Sequence, residues 1–530
     1  MATGISSIIL SHVKLSYTKF SDVELSHFGW SHISSILLGV ITLLVFRTFY
    51  RVYFHPLSKI PGPKLAAATH LYEFYYDIIC GGRFLFQIEK LHKKYGPIVR
   101  VSPREVHVID STFYHEIYAP NTRRREKDPK FVPTFGVPYS MVATVDHELH
   151  RFRRGLLNDF FSKRSIHSLS PFVQERVQKL VERFQAIHQE NRTVDLCSAF
   201  AALTSDVITY YCYGKSWSFL EDKDFRSDVR DATEDFAQFS HYHRFFPWLN
   251  GLMRAIPPQV MAKLMPGKAA LFEFQKSIFH HFSATIQGRT IPLTGDHNMF
   301  AALTDPKIPP SERTLSRIQD EAFTFIIAGT ETTMRALSYA MYYTTLDTSV
   351  REKLRNELKQ ILPTPTSTVP CWELERLPYL TAVLNESLRM SNAPIIRLPR
   401  VAPDEALRYK EHVIPPGTPI STATYFVHRD PKIFPDPERF EPERWIRAAE
   451  KGENLTKYLV TFTKGSRACI GMNLAYLELY LSVAYLTRRF DFDVSATKVE
   501  DITITREKVL GYPEKGRVAI FAKVDSEMSE

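Results

Sequence analysis

The chain has 530 residues, of which 44% are hydrophobic, 13% aromatic and 24% charged, enough to build a large core and unlike a disordered, collagen-like or repeat-array sequence. Its net charge of +9 is spread among interleaved acids, and the tightest basic run, RRREK at Arg123 to Lys127, is too short for a nucleic-acid arm, so no nucleic-acid partner is expected. Cys80, Cys197, Cys212, Cys371 and Cys469 are odd in number, scattered and never at CxxC spacing, which argues against a disulfide scaffold and a cysteine-built zinc site.

From Leu25 to Phe46 there is no Asp, Glu, Lys or Arg, a length that crosses a hydrocarbon layer of ~30 Å as a helix. Phe28 and Trp30 stand at one end and Phe49, Tyr50 and Tyr53 at the other, as interfacial belts do. Arg47, Arg51, Lys59 and Lys64 follow with no acid among them, whereas Lys14, Lys19, Asp22 and Glu24 cancel on the other side. The positive-inside rule then predicts a lumenal segment at 1–24, an anchor at 25–50 and a cytosolic body. No small-x-small site follows the apolar run, so the anchor is expected to be uncleaved. Pro56, Pro61, Gly62 and Pro63 break any continuing helix and predict a proline-rich hinge over 51–64.

Residues 65–530 read as one large domain, mainly α with small β-sheets, since no linker longer than a turn divides them. Helical spacing runs through DHELHRFRRGLLNDFFSKRS, LSPFVQERVQKLVERFQAI and a long segment from Ser311 to about Thr345. PIVRVSP, EVHVID and PGTPISTAT read as short strands. Phe245 to Pro266, FFPWLNGLMRAIPPQVMAKLMP, is apolar enough either to dip into a membrane and admit lipophilic substrates or to be ordinary core. In the middle of the long helix lies AGTETT, Ala328 to Thr333, where Gly329 costs about 1 kcal/mol relative to alanine. That cost points to close approach of a small or flat group, or to a packing contact.

Near the carboxyl end, TFTKGSRACIGMNLAY places Phe462, Gly465, Arg467, Cys469 and Gly471 in an FxxGxRxCxG pattern. A sulfur in a glycine-permitted turn before a helix can receive backbone N–H donors that lower its pKa, and Arg467 can meet a carboxylate on the same ligand. Spacing alone leaves a nucleophile, a buried thiol and a metal ligand open.

The pattern resembles the haem-binding signature of the cytochrome P-450 monooxygenases, and three further motifs follow the family's order. AGTETT resembles the oxygen-activation motif, with Glu331 and Thr332 as its acid and alcohol. NESLR supplies Glu386 and Arg389, an ExxR on one helical face, and PERW supplies Arg444. The resemblance extends from Pro61 to the carboxyl terminus. It implies haem b with Cys469 as axial iron ligand, Arg154, Arg400 and Arg467 on the propionates, Phe462 and Gly471 in the cofactor turn, and Gly329, Glu331 and Thr332 in dioxygen chemistry. Glu386, Arg389 and Arg444 would form a structural network. His150 stands where the family often has tryptophan, and Arg397 is an alternative to Arg400.

The resemblance also implies dioxygen as co-substrate and electrons from NADPH through a separate reductase, because the chain has no GxGxxG after a strand. NADPH-dependent cytochrome P-450 reductase is the expected partner, with cytochrome b5 as a second donor and Lys457 and Lys464 as candidate contacts. A single-pass location in the endoplasmic reticulum membrane is expected. The text resembles fungal secondary-metabolism members, so the expected substrate is a lipophilic terpenoid, polyketide or alkaloid intermediate. A reductase-independent haem-thiolate isomerase or dehydratase would be expected to lack the Glu331 and Thr332 pair, and a haem sensor needs neither. Asn191, Asn385 and Asn454 begin NRT, NES and NLT, sequons that a cytosolic body leaves bare.

Overall fold

A computed structural model describes residues 30–226, 228–257 and 299–528, together with positions 259, 260, 263 and 276. The expected lumenal segment and residues 25–29 of the expected anchor lie outside the described residues. The apolar run folds into α1, Trp30–Phe49, whose backbone continues through a wider turn at Tyr50–Phe54. His32–Phe54 is long and apolar enough to cross a membrane, and none of it is buried within the protein. The chain divides into two units between His55 and Pro56, inside the expected hinge.

From Pro56 onward that hinge is part of the body. Leu57 and Ile60, the apolar residues between its prolines, are buried, and Pro61 O accepts the Arg100 N–H at 2.7 Å. Gly62 is needed there, because a Cβ would lie 2.5 Å from Arg100 O.

The three expected strands all form and join one sheet. It holds β1 (Ile98–Arg100), β2 (Val106–Val108), β3 (Glu126–Lys127), β4 (Arg400–Val401) and β5 (Pro419–Ser421) in the order β1-β2-β5-β4-β3. β2 and β5 run parallel with Val106 opposite Ile420, and the other pairs are antiparallel. Lys127 therefore sits directly across from Arg400. A hairpin, β6 (Arg506–Lys508) and β7 (Leu510–Tyr512), stands apart from this sheet.

Helices make the rest of the body. Asp146 caps α2 (His147–Asn158) by accepting from Leu149 N, and Asp195 caps α4 (Leu196–Tyr213) from Cys197 N; α3 (Ser170–Gln189) lies between them. Next come α5 (Asp228–Phe245) and α6 (Leu315–Leu346), then α7 (Pro378–Met390), α8 (Glu443–Glu450) and α9 (Met472–Arg489). The long helix starts at Leu315 rather than Ser311 because the Thr314 hydroxyl accepts from Arg317 N, while Pro310–Glu312 turns as a 3-10 helix. α6 packs against α4, α5, α7 and α9, so the body's main core forms around it. In the apolar segment expected at Phe245 to Pro266, no residue of the helix Trp248–Ala255 is buried, and Trp248 and Leu252 are exposed. Positions 258, 261, 262 and 264–266 lie outside the described residues.

Candidate active site

The cysteine turn is fixed by its backbone. Gly465 has φ +74°, and a Cβ there would lie 2.2 Å from Ala119 O, so only glycine fits. Cys469 N–H donates to Phe462 O at 2.8 Å, which closes the loop before α9 begins at Met472. Gly471 has φ −83°, and an added Cβ would make ordinary contact, 3.9 Å from Cys469 Sγ. What Gly471 supplies is its N–H, directed at that sulfur.

Cys469 is exposed, yet protein surrounds it densely enough that burial pushes its thiol up, against the lowering from Gly471 N–H and the Arg154 guanidinium. The Gly471 N–H is the backbone donor that the turn is expected to offer. Backbone donors offset only part of the desolvation, and a metal ion on the sulfur would favour the thiolate further. Cys197, Cys212 and Cys371 are buried with their thiols pushed up, as inert core cysteines are.

Beside this turn the structure gathers cations whose hydrogen bonds go to backbone, with Asp146 and Glu126 the acids that Arg467 feels. Arg154 Nη1 donates to Ala468 O at 2.6 Å. Arg467 donates to Thr144 O, Val145 O and Asp146 O at 2.8 to 3.1 Å, and Arg400 to Leu398 O and Pro399 O at 3.2 and 3.1 Å. Among the described residues, all these hydrogen-bond partners are backbone carbonyls. Burial and the neighbouring Arg400 guanidinium bring Arg467 down to about 9, and burial lowers Arg154 and Arg400 as well. His150 is buried and held neutral by desolvation and by Arg467, Lys127, Arg154 and Arg400.

Lys127, the last residue of the basic run RRREK, is buried in the same cluster. Burial and the Arg467, Arg400 and Arg154 guanidiniums lower it, and its amine donates to Val142 O. Like charges paired across strands are unfavourable, so Lys127 opposite Arg400 makes sense where an anion offsets both. Lys127→Met should therefore raise the melting temperature of the haem-free chain. It should also speed haem transfer to a scavenging acceptor about tenfold, the loss of one charge-assisted hydrogen bond of ~1.5 kcal/mol. A lower melting temperature with unchanged haem transfer would remove Lys127 from the cluster.

Arg397 does not join these cations. It pairs with Glu73, and its Nε donates to Glu105 Oε1 at 2.9 Å, so the alternative to Arg400 is already engaged.

On α6, Ala328 is exposed and Ile327, Gly329 and Thr332 are half-buried, an accessible stripe on a helix otherwise buried from Thr330 to Tyr342. Of the two explanations for Gly329, packing is the one seen: a Cβ there would lie 2.8 Å from Ile208 Cγ1 of α4. Thr332 donates its hydroxyl to Ala328 O at 2.7 Å. Glu331 is buried and paired with Arg335 Nε at 2.9 Å, not free beside Thr332. Arg335 is wholly buried, also donates to Gly511 O, and lies 4.9 Å over the Tyr512 ring. α6 reaches the start of α9 through Phe325, stacked on Phe161 at 5.2 Å, whose carbonyl accepts from Asn473 Nδ2 at 2.8 Å.

Glu386, Arg389 and Arg444 come together as expected. Glu386 accepts from Arg389 Nη2 at 2.8 Å, Arg389 Nε at 3.0 Å and Arg444 Nε at 3.1 Å. Two further partners escaped the sequence reading. Trp445 Nε1 donates to Glu386 Oε2 at 3.0 Å, although PERW spelled it out, and His428 bridges to the cysteine turn. His428 Nε2 accepts from Val460 N at 2.9 Å, which leaves Nδ1 to donate to Arg389 O at 3.1 Å.

The residues fit an iron porphyrin: one accessible thiol for the metal, beside buried Arg400 and Arg467 and half-buried Arg154, guanidiniums whose hydrogen bonds go to carbonyls and which suit two carboxylates. Fold and turn thus define a haem-thiolate oxidoreductase. The family pattern of cytochrome P450 matches residues 70–520. Conidiogenone synthase PchP450 of Penicillium rubens is 46% identical over 478 residues, 90% of this chain and 96% of that protein. Cytochrome P450 monooxygenase TRI4 of Trichoderma arundinaceum is 44% identical over 475 residues, 88% of this chain and 91% of that protein. Cytochrome P450 monooxygenase aflU of Aspergillus parasiticus is 42% identical over 491 residues, 92% and 97% respectively. The chain belongs to the cytochrome P450 family, as a monooxygenase similar to fungal secondary-metabolism members.

Proposed function

We propose that this monooxygenase is anchored by α1 in the endoplasmic reticulum membrane with its body in the cytosol. There it oxidises a lipophilic terpenoid, polyketide or alkaloid intermediate with electrons from NADPH-dependent cytochrome P-450 reductase, and cytochrome b5 acts as a second donor. The observation that carries the site assignment is the exposed Cys469 beside half-buried Arg154 and buried Arg400 and Arg467, whose hydrogen bonds go to carbonyls alone.

Haem b would supply dioxygen activation and oxygen-atom transfer, with the Cys469 thiolate as the donor to its iron. Cys469 holds the iron, oriented by the bond from its own N–H to Phe462 O and by Gly471 N–H. Arg154, Arg400 and Arg467 hold the propionates. Thr332 would pass the proton: its hydroxyl would exchange the bond to Ala328 O for one to the substrate oxygen, and a proton from solvent, directly or through Glu331 after that carboxylate has taken one up, would replace the one it gives. Glu386, Arg389 and Arg444 keep the proximal side in register and touch no reactant.

The carbon monoxide difference spectrum of the reduced protein tests the site. A thiolate-shifted Soret band is expected, and Cys469→Ser should abolish it; a band that survives in the variant refutes the assignment. NADPH consumption that depends on added reductase separates this reading from a reductase-independent isomerase or dehydratase and from a sensor. Topology has its own test. Asn385 is buried, and its Oδ1 accepts from Tyr476 OH at 3.1 Å, so a glycan there is incompatible with the fold. Endoglycosidase should leave the protein's mobility unchanged, and a shift would overturn the cytosolic orientation.

A further inference from the structure

Asp77, His241 and Glu507 come from three distant parts of the chain: the turn Tyr75–Ile79, α5 and β6. Their exposures are 3%, 2% and 1%, and one donor atom from each lies within 4.8 Å of the other two. Asp77 Oδ1, His241 Nδ1 and Glu507 Oε2 are buried without a hydrogen-bond partner.

The histidine tautomer sharpens the conflict. His241 Nε2 lies 2.7 Å from the carbonyl oxygen of Glu507 and therefore donates to it, so a neutral ring carries its lone pair on Nδ1. That lone pair faces Asp77 Oδ2, another acceptor, at 3.7 Å, and Glu507 Oε1 lies 3.9 Å from Nε2. A protonated ring would not resolve this, because 3.7 Å exceeds the ~2.7–3.2 Å of an N–H···O bond. Two ligands each ~2.0–2.2 Å from a shared ion stand about 3–4 Å apart, which the 3.7 Å from Nδ1 to Asp77 Oδ2 matches; the Nε2 N–H is engaged by Glu507 O, so Glu507 would enter through its side-chain carboxylate.

Charge balance points the same way. Arg244 pairs with Glu73 and Asp77, and Arg397 with Glu73 and Glu105, so with Glu507 four carboxylates meet two guanidiniums.

We propose that Asp77, His241 and Glu507 bind one divalent first-row transition-metal ion, of the zinc class, which staples α5 to the β6–β7 hairpin and to the turn at Tyr75–Ile79. One imidazole and two carboxylates suit zinc, and manganese or iron less selectively. The ion would be structural, separate from the haem iron and from electron transfer.

Metal analysis of the haem-loaded full chain should find about one zinc-class ion per haem beyond the iron. After chelator treatment, zinc should titrate calorimetrically to one site and raise the melting temperature by about 2 °C or more. His241→Gln, which keeps a donor to Glu507 O, and Asp77→Asn should each lose the ion and the zinc-dependent shift while retaining the carbon monoxide band. Absence of both the ion and the calorimetric site in the wild-type protein overturns the proposal. So does a zinc-induced shift of equal size in wild type and both variants, which would place the ion elsewhere. A melting temperature that follows pH through the histidine range and ignores zinc assigns the cluster to a proton alone.

Discussion

Glu386→Ala should abolish the haem-loaded protein rather than slow its turnover. The Glu386 carboxylate is fully buried and accepts from Arg389 Nε and Nη2, Arg444 Nε, Trp445 Nε1 and Glu441 N, at 2.8 to 3.1 Å. Both guanidiniums also donate to backbone carbonyls: Arg389 to His428 O, Pro437 O and Arg439 O, and Arg444 to Pro435 O. These bonds fix the loop leading to α8, and His428 passes the constraint to Val460, just ahead of the cysteine turn. Removing the carboxylate leaves the buried Arg389 without its ionic partner and Arg444 with Glu441 alone, a loss of ~3–5 kcal/mol against a total stability of ~5–15 kcal/mol. Carbon-monoxide-binding haem per milligram of purified protein should fall below a tenth of wild type, with an earlier melting transition. Glu386→Gln keeps one acceptor and should fall between the two. A Glu386→Ala protein that keeps its haem and melting temperature would show that the network does not carry the fold.

That network was legible in the sequence because its spacing is local: Glu386 and Arg389 stand three residues apart on one helix, and PERW is a contiguous string. The strands and helices were legible for the same reason. Contacts set by distant segments were not. The packing of Gly329 depends on Ile208, 121 residues earlier, and Arg397 is taken from the cation cluster by Glu73 and Glu105. Lys127 ends a short basic run with nothing local to mark it as buried, and pairing of β3 with β4 sets it opposite Arg400. The Asp77, His241 and Glu507 cluster joins residues more than 160 positions apart and has no motif to announce it. Arg335 is a different case. It lies four residues after Glu331 in TETTMRA, a spacing that favours an ion pair and was there to be read.

That pair separates the expected effects of the two α6 substitutions. Thr332→Ala removes a half-buried hydroxyl bonded to a carbonyl of its own helix, so stability should change little, while product formed per NADPH should fall about 10²-fold, the scale of one lost proton-transfer group. NADPH and dioxygen should still be consumed. Glu331→Gln acts first on Arg335, which is left buried with one ionic partner fewer and only Gly511 O and the Tyr512 ring in reserve. Its dominant effect should be a structural loss of ~3–5 kcal/mol, seen as a lower melting temperature and lower haem content. Per haem retained, its product yield should fall less than that of Thr332→Ala. Arg335→Met is the control that distinguishes the roles: it frees the Glu331 carboxylate and removes the competing cation together. If Glu331→Gln keeps wild-type stability and lowers yield as steeply as Thr332→Ala, the carboxylate leaves Arg335 during turnover and serves as the proton donor itself.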